Sequence, residues 1–159
     1  MCTLPTDLDW NELKNVECFA SGGNSLIYKA LFNETIVIVK TVKSSAKVKL
    51  PSVEELEKEL RILSKLNHPN IVKLYGAGYN DQGYRFLVLE WLGGGTLGQM
   101  ISKRKEKQSR NITRKFSNKV CIEDAISDAY AIARALEYCH QNIDEVIIVH
   151  RDLKPDNIG

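Results

Sequence analysis

The stretch VHRDLKPDNIG, residues 149–159, decides how the rest of the chain is read. It sets a carboxylate at Asp152, an ammonium at Lys154 and an amide at Asn157. Those are the parts needed to handle a transferring phosphoryl group: an acceptor for a hydroxyl proton, a cation for phosphate charge and an oxygen ligand for Mg²⁺. Their combination within residues 150–157 is far more specific than any one of them.

Working outward, the short apolar run VIIV, residues 146–149, delivers this stretch. Before it, Ile122, Ala125, Ile126, Ala129, Ile132, Ala133, Leu136 and Cys139 fall on one face of a helix predicted over 122–141. Residues 102–119, SKRKEKQSRNITRKFSNK, read as a solvated surface loop following a flexible LGGG joint. They hold eight Lys or Arg against the single acid Glu106. A docking or nucleic-acid patch is the sharper reading. Only Phe116 interrupts the charges, so the aromatic interleaving of a single-strand binder is missing and nucleic acid is a poor fit.

The first half reads differently. Residues 14–41 predict an antiparallel meander: Val16, Cys18 and Ala20 alternate with polar residues, LIYKALF follows, and a turn at Asn33-Glu34 leads into TIVIVKT. Val53, Leu56, Leu60, Leu63 and Leu66 predict a helix over 52–66, capped by Ser52 with Glu55. A strand pair, NIVKLYG and YRFLVLE, is joined by a turn through Asn80-Asp81-Gln82-Gly83.

Three features of this half bear on chemistry. The tight turn Ala20-Ser21-Gly22-Gly23 lets backbone N–H groups approach an anion, or is a plain hairpin turn. Lys40 shares a strand face with Ile36 and Ile38, and either snorkels to solvent or meets a buried anion. Glu59 lies on the apolar stripe of the helix, where a carboxylate needs a cationic partner. Lys40 is the candidate; two surface charges that never meet are the alternative.

The gross numbers exclude little else. Apolar residues at 43% can form a core, and a net charge of +2 demands neither nucleic acid nor membrane. The four cysteines (Cys2, Cys18, Cys121 and Cys139) form no CxxC pair, and no apolar run reaches bilayer length. With no signal-peptide layout at the N-terminus, an intracellular, cytoplasmic protein is expected.

In order and spacing, these motifs resemble the protein kinase family, from about Trp10 to Gly159: glycine loop, strand lysine, helix glutamate, HPNIVKLYG, LVLEWLGGGTL and HRDLKPDN. LDWNEL resembles the tyrosine-kinase-like group, and Lys154 resembles serine/threonine enzymes. The resemblance implies an α+β fold: an antiparallel β-sheet N-lobe with one regulatory helix (10–92, with the hinge), then the start of a helical C-lobe (93–159), after an N-terminal extension 1–9. It implies ATP and Mg²⁺ as cofactors and a protein Ser/Thr hydroxyl as substrate. Ala20, Ser21, Gly22, Gly23, Asn24, Ser25 and Ile27 would cover the ATP phosphates. Lys40 would hold the α- and β-phosphates, paired with Glu59. Glu90, Trp91 and Leu92 would form the hinge, with Leu89 as gatekeeper and Ile38 roofing the adenine. Asp152 would accept or orient the hydroxyl proton, Lys154 would neutralise the phosphoryl group and Asn157 would bind Mg²⁺. His150 and Arg151 would be mainly structural.

There are three departures from the family pattern. Only the second glycine of G-x-G-x-x-G is kept, with Ala20 and Ser25 at the other two positions, which loosens the expected grip on phosphate. Ile38 replaces a small residue. The second metal motif, Asp-Phe-Gly, belongs roughly twenty residues beyond Asn157 in the family pattern and is not among these 159 residues. An incomplete kinase domain, inactive and poorly soluble alone, is therefore expected. A non-catalytic, nucleotide-binding regulatory fragment is the alternative.

Overall fold

The computed structural model describes residues 7–22, 25–43, 50–110, 122–141 and 146–159. Its six strands are β1 (Asp7–Asp9), β2 (Lys14–Ser21), β3 (Ser25–Phe32), β4 (Thr35–Val42), β5 (Leu74–Tyr79) and β6 (Arg85–Glu90). They form one sheet in the order β1-β5-β6-β4-β3-β2. All pairings are antiparallel except β1 with β5, which is parallel. Helix α1 (Leu50–Leu63) packs on the sheet. Helices α2 (Leu97–Arg110) and α3 (Ile122–His140) and a closing 3-10 turn (Pro155–Asn157) follow. The chain divides into two compact units, Met1–Trp91 and Leu92–Gly159.

The central strands are apolar on both faces, so they can only sit inside. Val37, Val39, Phe86 and Val88 pack with Leu13 and Ala30 on one face. Val42, Leu87, Leu89 and Ala77 pack with Leu56 and Leu60 of α1 on the other. The β3–β4 hairpin turns through Asn33 and Glu34, both at positive φ (47° and 63°), as a two-residue turn matched to strand twist requires. In the β5–β6 turn, Gly83 sits at φ +75°. The Asn80 side chain accepts from the backbone N–H of Gln82 and Tyr84.

Several expectations need correction. The basic stretch is no loop at its start: α2 runs through Arg110. Its composition of Lys, Arg, Glu and Gln favours helix, and Thr96 with Gln99 closes a reciprocal cap. Residues 111–119 lie outside the described residues. Helix α1 begins at Leu50, so Ser52 falls inside it and is not its N-cap. Pro51 instead occupies the first turn, where its missing N–H costs nothing. The simple alternation of Val16, Cys18 and Ala20 fails because β2 shifts register twice, between Lys14 and Glu17 and between Cys18 and Ala20. Asp7–Asp9, ahead of the expected domain start, is part of the sheet.

Candidate active site

In the first unit, alternation along β4 places Lys40 on the face that α1 covers. Its neighbours across the sheet are Ile27 on β3 and Leu87 on β6. Leu56 and Leu60 anchor α1 there, and Glu59 is carried between them toward the strand. Lys40 Nζ donates to Glu59 Oε2 at 2.5 Å. Their side chains are 28% and 31% exposed, so the lysine neither snorkels free nor is sealed in. A small cleft of about 170 Å³ opens beside the pair, lined by Ser25, Lys40, Ser52, Glu55 and Glu59 among others. It has room for a polar group next to the ammonium.

The glycine turn is described only at its ends: Gly22 N–H donates to the Ser25 carbonyl at 3.0 Å, and Ala20 pairs with Ile27. Gly23 and Asn24 lie outside the described residues. Ile38 sits directly opposite Leu89. Leu89 is buried, and Ile38 packs against the same cluster. Glu90 is tied to Lys73 twice: its N–H donates to the Lys73 carbonyl, and its carboxylate accepts from the Lys73 N–H. One group was missed in the sequence. Phe19 meets Trp91 edge to face with centroids 5.1 Å apart, and Lys29 Nζ lies 4.8 Å from the Trp91 ring centre. The register shift after Cys18 leaves Phe19 as the extra residue opposite β3, and nothing in residue spacing announces such a shift.

In the second unit, Leu97 N–H donates to the Ile158 carbonyl at 2.8 Å. Gly98 lets Asp156 approach so closely that an added Cβ would overlap its carboxylate. Ile148 N–H donates to the Cys139 carbonyl at the end of α3. Between these anchors Arg151 takes φ +62°, a left-handed turn, and the next side chain, Asp152, is exposed. Asp152 N–H donates to the His150 carbonyl. Lys154 Nζ donates to Asp152 Oδ2 at 2.8 Å, and Asn157 Nδ2 donates to the same oxygen at 3.0 Å and to the Asp152 carbonyl at 2.8 Å. The bonds from Lys154 and Asn157 hold the Asp152 carboxyl below the usual carboxylate range. The reciprocal bond holds the Lys154 ammonium above the usual lysine range. Both groups are charged at neutral pH.

The donor chemistry suits a hard cation. Asn157 has committed its N–H groups to Asp152, which leaves its own Oδ1 as an oxygen ligand. Among the described residues, no cluster of three or more His, Cys, Asp or Glu could hold a metal by itself. Nor is any helix long and apolar enough to cross a membrane among the described residues. Leu92, in a turn closed by Gly95 N–H to its carbonyl, packs against Gly159.

A lysine paired with a helix glutamate in one unit, and an aspartate held between a lysine and an asparagine in the other, are the parts of a phosphoryl-transfer domain. The family description "Protein kinase domain" matches residues 14–158, and the chain belongs to that family. It is 32% identical over 157 residues to the human mitogen-activated protein kinase kinase kinase 10, covering 98% of this chain and 15% of that protein. It is 31% identical over 161 residues to the serine/threonine-protein kinase VIK of Arabidopsis thaliana, covering 98% of this chain and 33% of that one. A probable serine/threonine-protein kinase of Dictyostelium discoideum is 30% identical over 152 residues, covering 96% and 15%. The chain thus spans a third or less of the length of these relatives.

Proposed function

We propose that the protein is an ATP- and Mg²⁺-dependent serine/threonine kinase. The observation that carries this reading is the Asp152 carboxylate, shared by Lys154 and Asn157 through one oxygen. Asp152 stays ionised at neutral pH, so it is a weak base before the reaction. It orients the substrate hydroxyl and takes its proton late, once bonding to phosphorus has acidified it. Lys154 bridges toward the transferring phosphoryl charge. Asn157 offers an oxygen to Mg²⁺, which when bound neutralises charge on the nucleotide phosphates. Lys40 would hold the α- and β-phosphates, with Glu59 fixing its position. Ala20, Ser21, Gly22, Gly23, Asn24, Ser25 and Ile27 would cover the phosphates, as the family resemblance implies. Ile38, Leu89, Glu90 and Leu92 would contribute to adenine binding, as the family resemblance implies. Because Ala20 and Ser25 stand where glycines are usual, Lys40 bears more of the nucleotide binding. The serine/threonine preference is supported by Lys154 two residues after Asp152 and by the similarity to serine/threonine-protein kinases. An ATP-using protein with free thiols at Cys18 and Cys139 fits a cytoplasmic setting.

Calorimetric titration of the full-length protein with MgATP tests the nucleotide half of this reading. Lys40→Met removes one charge-assisted bond, so affinity falls by roughly 10- to 100-fold. Equal affinity in wild type and variant would overturn the assignment of Lys40.

A further inference from the structure

We propose that Arg85 is a positioning residue for helix α1, through which the N-terminal strand β1 acts on the Lys40–Glu59 pair; this rests on the kinase reading, since it assigns a regulator to that pair. Arg85 opens β6, and its guanidinium joins two carboxylates from different elements. Nε donates to Glu57 Oε1 on α1 at 3.0 Å, and a terminal nitrogen lies 3.3 Å from Asp7 Oδ1 on β1. The same guanidinium stacks 4.4 Å from the ring centre of Tyr79 on β5. The Arg85 carbonyl accepts from Thr41 Oγ1 at 2.8 Å, one residue from Lys40. The Arg85 side chain is only 17% exposed, so its orientation is imposed by these neighbours. A planar fork with several fixed N–H directions suits this task, and a lysine would satisfy only part of it.

Among the described residues, charged contacts hold helix α1 to the sheet at Glu57, to Arg85 on β6, and at Glu59, to Lys40 on β4. Turning the helix about its axis strains both. Without the Arg85 contact, the remaining pair is part-exposed and open to competition from water.

The input side is a built seat. Gly76 and Gly78 face Leu8: a Cβ on Gly76 would strike the Leu8 side chain, and one on Gly78 would strike the Leu8 carbonyl. These glycines leave a lane in which β1 lies parallel to β5 with Leu8 opposite Gly78. Asp7 is 83% exposed, and an ion pair so exposed cannot hold a strand in place by itself. The strand is therefore held by its backbone pairing and by Leu8, and that placement brings Asp7 to 3.3 Å from the guanidinium. Undocking β1 releases Arg85 to solvent and weakens its grip on Glu57.

The test uses the full-length protein and four variants: Arg85→Met, Glu57→Gln, their double mutant and Arg85→Lys. Two readouts are taken: MgADP affinity by calorimetry, and hydrogen exchange of the α1 backbone amides. Arg85→Met and Glu57→Gln each weaken MgADP binding about fivefold and speed α1 exchange, the double variant is no worse than either single, and Arg85→Lys recovers part of the loss. A Leu8→Ala variant, which touches neither α1 nor the nucleotide cleft, speeds α1 exchange in the same direction. Unchanged α1 exchange in Arg85→Met, or additive losses in the double variant, would overturn the proposal. So would losses that merely track a lowered melting temperature. Wild-type protein that fails to bind MgADP counts against the kinase reading alone, because the exchange readout still decides the role of Arg85.

Discussion

Asp152 keeps one carboxylate oxygen between two nitrogen donors, and this is what the HRDLKPDN spacing encodes. Residue types and order made Asp152, Lys154 and Asn157 readable as a group, because few other tasks need a carboxylate, an ammonium and an amide so close together. Lys40 and Glu59 were legible only as two residues that each needed a partner; the 2.5 Å contact depends on how α1 packs. Arg85, Glu57 and Asp7 were not legible at all. They lie far apart in sequence, and each is an ordinary surface residue by type. The mutual attraction of Asp152 and Lys154 makes a pH prediction. The folded carboxyl titrates below an unfolded Asp, near 3.9, so the pair's contribution is present above that value. It fades only as pH falls through the lower, folded titration. Replacing Lys154 by Met moves the Asp152 titration back up toward the unfolded value, read from its side-chain carbonyl carbon shift by NMR. An unmoved titration would show that Lys154 is not the main cause.

Elements with one clear period were readable, and elements with special ends were not. The β3–β4 hairpin and α3 fall close to where alternation and helical spacing put them. The start of α1 was misplaced because Ser52 and Glu55 mimic a capping box, whereas the helix starts at Leu50. The reverse happened at α2, where the Thr96–Gln99 cap was overlooked beneath the charge of the following residues. Thr96→Ala leaves an N-terminal N–H of α2 without its acceptor and costs about 1 kcal/mol. The check is urea denaturation followed by circular dichroism, with no change of midpoint as the contrary result. Gly98 shows why this matters: the close approach of Asp156 to α2 depends on that end of the helix staying formed.

The six-stranded sheet of the first unit has a core on each face, while α3 in the second has no buried residue. Ile122, Ile126 and Tyr130 are 75%, 63% and 64% exposed, and Val146, Ile147 and Val149 are exposed as well. An apolar surface of this kind drives association in water. The 159 residues made alone therefore self-associate, and Ile122→Glu with Ile126→Glu shifts them toward monomer in sedimentation velocity; a monodisperse monomer without the substitutions would contradict this. The family relationship covers residues 14–158, and the catalytic proposal concerns the whole protein. Its most direct test is transfer of labelled terminal phosphate from MgATP to a generic Ser/Thr protein substrate. Label appears on serine or threonine and falls by roughly 100-fold or more in Asp152→Asn. Transfer that persists undiminished in Asp152→Asn, or none from the wild-type protein, would contradict it.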